Sequence, residues 1–413
     1  MHHRAAIKRG GKCAAGCRNF FLLATLLAVL YVLLQDGGGG GGAVNLAPGG
    51  GGPRAAPGGR ALPPNAPAAR RDARLPSGVT SLYPPLPPGA PNPFSEGATR
   101  IVITFIGAHM NLWYTTCLRA LILQHCAAPS VRVLVWANEL PDAFVDGALG
   151  DVVGSPPRLH LVRYNLTALA AGVPSAPDTL NFVVNPPVGA DGVGVQPTME
   201  PQVRMAHVTD VLRMVVLWRF GGVYLDADIL PLRPLHNLGP AYAANLGNYE
   251  CTRALYPGWP GGDPIPMPPR LGGATVSCMC VCFLSFPTPR HPLVEGVLAR
   301  GLEAFKARDC VYGGLGAWVT MDVIRDLVQR GDPAFDAVPL SVSEALCWPQ
   351  VQDAVKPQSD AEVDAIVRDC VSVHMMGGAH AKKFSAVTID NTTLFGQVYA
   401  RIAPRLPPRC PDG

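Results

Sequence analysis

Residues 209–235 read TDVLRMVVLWRFGGVYLDADILPLRPL, and this stretch decides the reading of the chain. Its first half continues a helical pattern over residues 200–220, with Val208, Leu212, Val215, Val216 and Phe220 on one face. Gly221 and Gly222 stop the helix and let the backbone turn back. Val223 to Leu225 then begin a short apolar strand that runs into Asp226 and Asp228. Two carboxylates two residues apart at a strand end point to the same side. Just past a sheet edge they can share one divalent cation with a diphosphate, and hard oxygen ligands suit magnesium or manganese. Asp210 and Arg213, three residues apart, share a second helix face, where an acid beside a cation can hydrogen-bond a polyhydroxyl ligand. Each part alone has an ordinary meaning: a solvated turn, a surface ion pair, a helix stop. The combination, with apolar strand residues leading into the acids, is far more specific.

Outward from this segment the pattern is α/β. Arg100 to Ile106 (RIVITFI), Val131 to Ala137 (VRVLVWA) and Leu159 to Tyr164 are apolar runs of strand length. A helix-like segment with Leu118, Leu121, Ile122 and His125 on one face lies between the first two. Such runs read as a parallel sheet covered on both faces, the start of a nucleotide-binding type of fold. Downstream, residues 256–273 read as a loop, residues 276–286 as a strand, and residues 293–306 and 318–329 as helices. Cys278, Cys280 and Cys282 alternate and so share one strand face. A metal site is one reading of them; a buried strand with a disulfide partner elsewhere is the plainer one.

The chain has 413 residues, 48% hydrophobic and 15% charged, with a net charge of +4. That charge is too small for so long a chain to argue for nucleic acid, and the composition excludes a wholly disordered chain. The 45 glycines and 43 prolines are unevenly spread: residues 37–98 are mostly Gly, Pro and Ala, with few large apolar side chains to offset the entropy of ordering. Phe20 to Leu34 is fifteen residues without a charge, preceded by Arg4, Lys8, Arg9, Lys12 and Arg18. This asymmetry places the N-terminus in the cytosol. A helix of that length covers about 22 Å, which suits the thinner membranes of the early secretory route. A cleaved signal peptide is the competing reading, although no small-x-small site follows directly. The expected organisation is a cytosolic tail (residues 1–18), a signal anchor (19–35), a disordered stem (36–98) and a lumenal domain (99–413). Ten of the twelve cysteines would then lie in an oxidising compartment, where several should pair. Asn165-Leu166-Thr167 and Asn391-Thr392-Thr393 would be glycosylation acceptors there.

The stretch DVLRMVVLWRFGGVYLDADILPLRPL resembles the core of glycosyltransferase family 32, the Asp-x-Asp sugar-transfer group. The likeness is greatest to its α-1,4-galactosyltransferase and α-1,4-N-acetylglucosaminyltransferase branch. It runs weakly from about Ile101 to about Phe384, and only residues 209–235 match sharply. The basic tail, single anchor and stem also resemble the Golgi type II plan of that branch. The resemblance implies a GT-A-type fold, a mostly parallel sheet flanked by helices. It also implies a nucleotide-sugar donor, a glycan or glycolipid acceptor, manganese (with magnesium as the alternative) and retention of anomeric configuration. Carried over residue by residue, Asp228 would coordinate the metal, and Asp226 would touch the donor and reach the metal. Asp210, Arg213 and Gly222 would serve donor binding, and Tyr224 would line the site. His374 falls where the family has a histidine and is the candidate third metal ligand, against the reading of a packed imidazole. Lys382 and Lys383 could meet diphosphate or be a solvated basic pair. Cys280 and Gly316-Ala317 depart from the branch pattern where the sugar pockets are shaped. A haloacid-dehalogenase-type phosphatase also places Asp-x-Asp after an apolar strand, and Gly331 to Asp336 resembles its second acidic motif. Against it, position 230 is Leu, and the Asp210/Arg213 helix goes unexplained. A non-catalytic binding module has no need of both acids.

Overall fold

The computed structural model describes residues 75–95, 97–154, 157–185, 201–236, 238, 241–245, 265–266, 275–276, 278–306, 314–332, 340–341, 346–347, 356–374 and 389–410. The expected anchor and most of the stem lie outside these residues. Among the described residues no helix is long and apolar enough to cross a membrane.

Four strands form the parallel centre of the fold: β2 (Thr99–Thr104), β3 (Val131–Trp136), β4 (Leu159–Tyr164) and β5 (Gly222–Leu225). They pair in the order β4-β3-β2-β5, in register Ile101 to Val133 and Ile101 to Val223. β3 is buried at every position, as a strand covered on both faces must be. The edge beyond β4 is β1 (Val79–Tyr83), antiparallel. It falls in the stretch read as stem, so ordered structure begins before residue 99. Phe94, also from that stretch, packs on Trp136 and Phe220 with ring centroids 6.0 and 5.1 Å away.

Beyond β5 the sheet turns mixed. β6 (Ile229–Pro231) leaves it, while β7 (Ala241–Asn245), β8 (Cys278–Phe286) and β9 (Leu340–Ser341) complete it. The full order is β1-β4-β3-β2-β5-β8-β7-β9, with β8 antiparallel to both β5 and β7. The fold is thus mixed α/β about a mostly parallel centre. A second, three-stranded sheet joins β10 (Leu346–Cys347), β11 (Ser372–His374) and β6.

Helices cover both faces. α1 (Leu112–Gln124) is capped by Asn111, whose side chain accepts from Trp113 N and Tyr114 N at 3.0 Å. α2 (Pro201–Phe220) packs with α3 (Pro292–Lys306) and α4 (Val319–Arg330) on one face. Every residue of α2 from Asp210 to Leu217 is buried, because it lies between the sheet on one side and Val297, Leu298 and Leu315 on the other. α5 (Asp360–Asp369), opened by a Ser359/Glu362 capping box, and α6 (Leu394–Ile402) close a third core. In it Trp113 of α1 meets Phe395 at 4.3 Å between ring centroids, with Leu230 and Val373 beneath.

The expected disulfides are present. Cys126, just past α1, bonds Cys410, closing a loop of 284 residues. By restricting the unfolded chain, such a closure contributes about 5 kcal/mol on the chain-entropy model. Cys282 and Cys370 are also disulfide-bonded, and Cys117 is a buried free thiol. The side chains of Cys278 and Cys280 lie outside the described residues.

His125, beside this bridge, fixes the chain after β6. Its Nε2 accepts from Leu235 N at 2.9 Å and its Nδ1 donates to Leu121 O at 2.8 Å, so the ring is neutral. Burial pushes its pKa down from 6.5 to about 4. Between those values the unfolded state binds the extra proton, so stability present above pH 6.5 is lost as the pH falls. This ring alone costs about 3 kcal/mol across that window. His125→Gln preserves both hydrogen bonds and is expected to lessen the drop in urea midpoint between pH 7 and about pH 4.5.

Candidate functional site

The acids stand at the C-terminal end of β5, at the edge of the parallel centre where α/β folds place ligands. Asp226 N donates to Cys282 O at 2.8 Å, and Asp226 O accepts from Ile229 N at 3.1 Å. These bonds make 226–229 a tight turn from which both carboxylates project. β11 then delivers the third member. His374 is in register with Ile229, which places its Nε2 3.2 Å from Asp228 Oδ1.

α2 supplies the positive charge. Arg213 Nη1 lies 3.2 Å from Asp226 Oδ1 and donates to Val281 O at 2.8 Å. Its Nη2 lies 3.1 Å from Asp210 Oδ1. The guanidinium stacks over the Tyr224 ring, 4.8 Å from the centroid. One turn earlier, His207 Nδ1 lies 3.7 Å from Asp210 Oδ2. Gly316 leaves the room this needs, since a Cβ there would come within 3.1 Å of Asp210 Oδ1 and 2.9 Å of Val281 Cγ2.

Asp210, Arg213, Asp228 and His374 are all buried, whereas the Asp226 side chain is 26% exposed and is the face a ligand can reach. Burial raises the Asp226 pKa; Arg213 opposes this and the neighbouring Asp228 adds to it. Burial works against charge on His374, but Asp228 and Asp226 outweigh it and hold the imidazole above its ordinary value. Three carboxylates against one guanidinium leave a negative site that a cation would complement.

Asp226, Cys282 and His374 bring ligand atoms within 4.8 Å of one another. Cys282 is disulfide-bonded, so its sulfur is not a thiolate ligand. The donors that remain are the carboxylates of Asp226 and Asp228 and the imidazole of His374, a set that fits manganese or magnesium.

The structure therefore brings Asp210, Arg213, Asp226, Asp228 and His374 together. Two residues expected to serve donor binding stand elsewhere. Gly222 is at the other end of β5; its φ is +116° and a Cβ would meet Arg100 O at 2.7 Å, so its work is backbone packing. Tyr224 is wholly buried behind the acids, where its hydroxyl donates to Asp226 and is 3.0 Å from Thr104 Oγ1. It positions a carboxylate and does not itself line the opening. Lys382, Lys383 and Asp336 lie outside the described residues, and Gly331 is the left-handed C-cap of α4. Sequence reasoning missed Tyr114. Burial raises its hydroxyl pKa, and the charges of Asp228 and Asp226 add to the shift. The signal was its place in the first turn of α1, the helix that follows β2.

Residues 126–245 match the family described as glycosyltransferase sugar-binding region containing DXD motif. No curated protein matches the chain. Among solved structures, the galactosyltransferase LgtC in complex with donor and acceptor sugar analogs is 12% identical, over 75% of this chain and 96% of that one, with a TM-score of 0.37. The PaToxG glycosyltransferase is 10% identical, over 75% and 87% of the two chains, with a TM-score of 0.36. The WbbM bifunctional glycosyltransferase is 11% identical, over 76% and 53%, with a TM-score of 0.39.

Proposed function

We propose that this chain is a glycosyltransferase of the DXD type that moves a hexose or N-acetylhexosamine from a nucleotide sugar, UDP-linked, to a glycan or glycolipid acceptor with retention of configuration. On this reading the fold is of the GT-A type, and the enzyme works on the lumenal side of the Golgi membrane behind a single type II anchor. The observation that carries the proposal is the meeting of Asp226, Asp228 and His374, from two separate sheets, with Arg213 braced against them.

A divalent cation held by Asp226, Asp228 and His374, manganese or alternatively magnesium, would supply charge neutralisation for the leaving diphosphate. The chain's own residues do the rest. Asp210 and Arg213 hydrogen-bond the donor sugar from α2. Asp226, kept in place by Tyr224 and Arg213, faces the donor from its exposed edge. Burial of the other members excludes water from the reacting centre. No side chain is assigned as a covalent nucleophile, and a front-face course, with the leaving phosphate helping to remove the acceptor proton, accounts for retention.

The test is to incubate the full chain with manganese and a panel of nucleotide sugars. Release of UDP from one donor, lost on chelation and restored by manganese, is the expected result. Release of phosphate from sugar phosphates instead, or no turnover of any donor with any acceptor, would refute the proposal. The anomeric configuration of the first product, read by proton NMR, decides retention separately.

A further inference from the structure

At the end of the parallel strands opposite Asp226 and Asp228, three arginines lie side by side. Arg100 is in register with Arg132 across β2 and β3. Arg158 immediately precedes β4, and its carbonyl accepts from Val133 N at 2.9 Å. Positions in register share a sheet face. The three arginines and His160 therefore lie on the face that carries Val102, Leu134 and Val162. Arg132, Arg158 and His160 are 5%, 8% and 0% exposed.

Arg100 accounts for its own charge. Its guanidinium donates to the carbonyls of Pro93, Ser95 and Phe220, the last at the C-terminus of α2, where the helix dipole favours a cation. The other two differ. Arg132 donates to Pro129 O at 2.6 Å and Val131 O at 2.9 Å, and feels Arg158 as a like charge. Arg158 Nη1 and His160 Nε2 are buried polar atoms without a hydrogen-bond partner. No carboxylate forms an ion pair with Arg132 or Arg158 among the described residues. Two guanidinium groups side by side without a counter-charge, one with Nη1 buried and unpaired, are costly, so the missing complement is an anion.

His160 narrows the choice. Its Nδ1 is 2.6 Å from Pro84 O and must donate there, so Nε2 is left as an acceptor. A fully ionised oxyanion has no proton to give it, whereas a phosphate that keeps one P–OH does. We propose that Arg132, Arg158 and His160 form a phosphate-binding site at the N-terminal ends of β3 and β4, at the far end of the sheet from the sugar-transfer site. The guanidinium of Arg158 pairs with phosphate oxygens and His160 Nε2 accepts from the P–OH. The phosphate is free, or carried as a monoester that keeps its second proton in the site.

The test is thermal unfolding of the full chain, titrated at constant ionic strength with sodium phosphate, glucose 6-phosphate or sodium sulfate. With the better phosphate, a saturable rise of about 5 °C or more is expected at roughly 100 times the half-saturating concentration, and a smaller one with sulfate. The phosphate with the lower half-saturating concentration identifies free ion or ester as the natural form. Arg158→Gln should respond to none of the three. Without anion it should melt no lower than the wild type, because a like charge has been taken from beside Arg132. Arg132→Gln is read in the same way should Arg158→Gln fail to fold. Equal, non-saturating rises with all three salts in wild type and variant would mean a general salt effect, an adventitious ion only, and would overturn the proposal. So would a variant that melts well below the wild type in anion-free buffer.

Discussion

Replacing Asp228 by Asn is expected to lower donor turnover by roughly three orders of magnitude while the fold survives, a loss of the size seen when one preorganised charge is removed from a transition state. The side chain keeps its shape but loses its charge. Asp228 Oδ1 is 3.2 Å from His374 Nε2, so the carboxylate keeps the imidazole oriented, and on the proposed function it would also complete the cation site. An amide binds a hard divalent ion far less well than a carboxylate. Stability should change little, because repulsion among three clustered carboxylates and the pairing with His374 are lost together. Urea midpoints should match the wild type, and calorimetric titration should show manganese binding weakened together with turnover. An Asp228→Asn enzyme with normal turnover would remove the basis of the site assignment.

Arg213→Ala is expected to do a different kind of damage. It leaves Asp210 and Asp226 in place with their shared cation gone, and breaking a buried ion pair from one side costs about 3–5 kcal/mol. The urea midpoint should fall clearly and donor turnover with it. Arg213→Lys separates the two losses. The ammonium restores a positive charge between the carboxylates, so much of the stability should return. It cannot reproduce a planar fork that reaches Asp226, Asp210 and Val281 O at once while lying on Tyr224. Turnover should therefore stay down by about 10²-fold, as expected for a donor site displaced by about an ångström. A lysine variant with full activity would show that charge alone matters and that the fork does not position the donor.

The segment from Asp210 to Asp228 was legible because each signal in it is local. A 3.6-residue period, a glycine stop and an apolar run ending in acids all fall within about twenty residues. The depth of Asp210 and Arg213 was not legible. Helical spacing set them apart from the apolar stripe, but α2 is enclosed on more than one side, and that depends on Leu315 and α3, which are distant in sequence. His374 was reached by resemblance and not by pattern. Its place is fixed by β11, a strand of three residues, too short to show a period, whose register with β6 is a tertiary fact. β1 was hidden for a related reason. Surrounded by Pro and Gly, VTSLY becomes a strand only because β4 offers it an edge. Gly222 and Tyr224 adjoin the acids in sequence, but a strand carries one of them away along its length and turns the other inward.

The bridge between Cys126 and Cys410 bears on how the enzyme comes into being. The helix that opens the domain is stapled to a residue made almost three hundred positions later, and His374 arrives shortly before that residue. A nascent chain can assemble the parallel strands and present both aspartates, but it stays unfinished until Cys410 has been made and oxidised. Competence to transfer sugar is thereby tied to an oxidised chain that reaches Cys410, so a chain stalled before that residue, or a reduced one, should be idle.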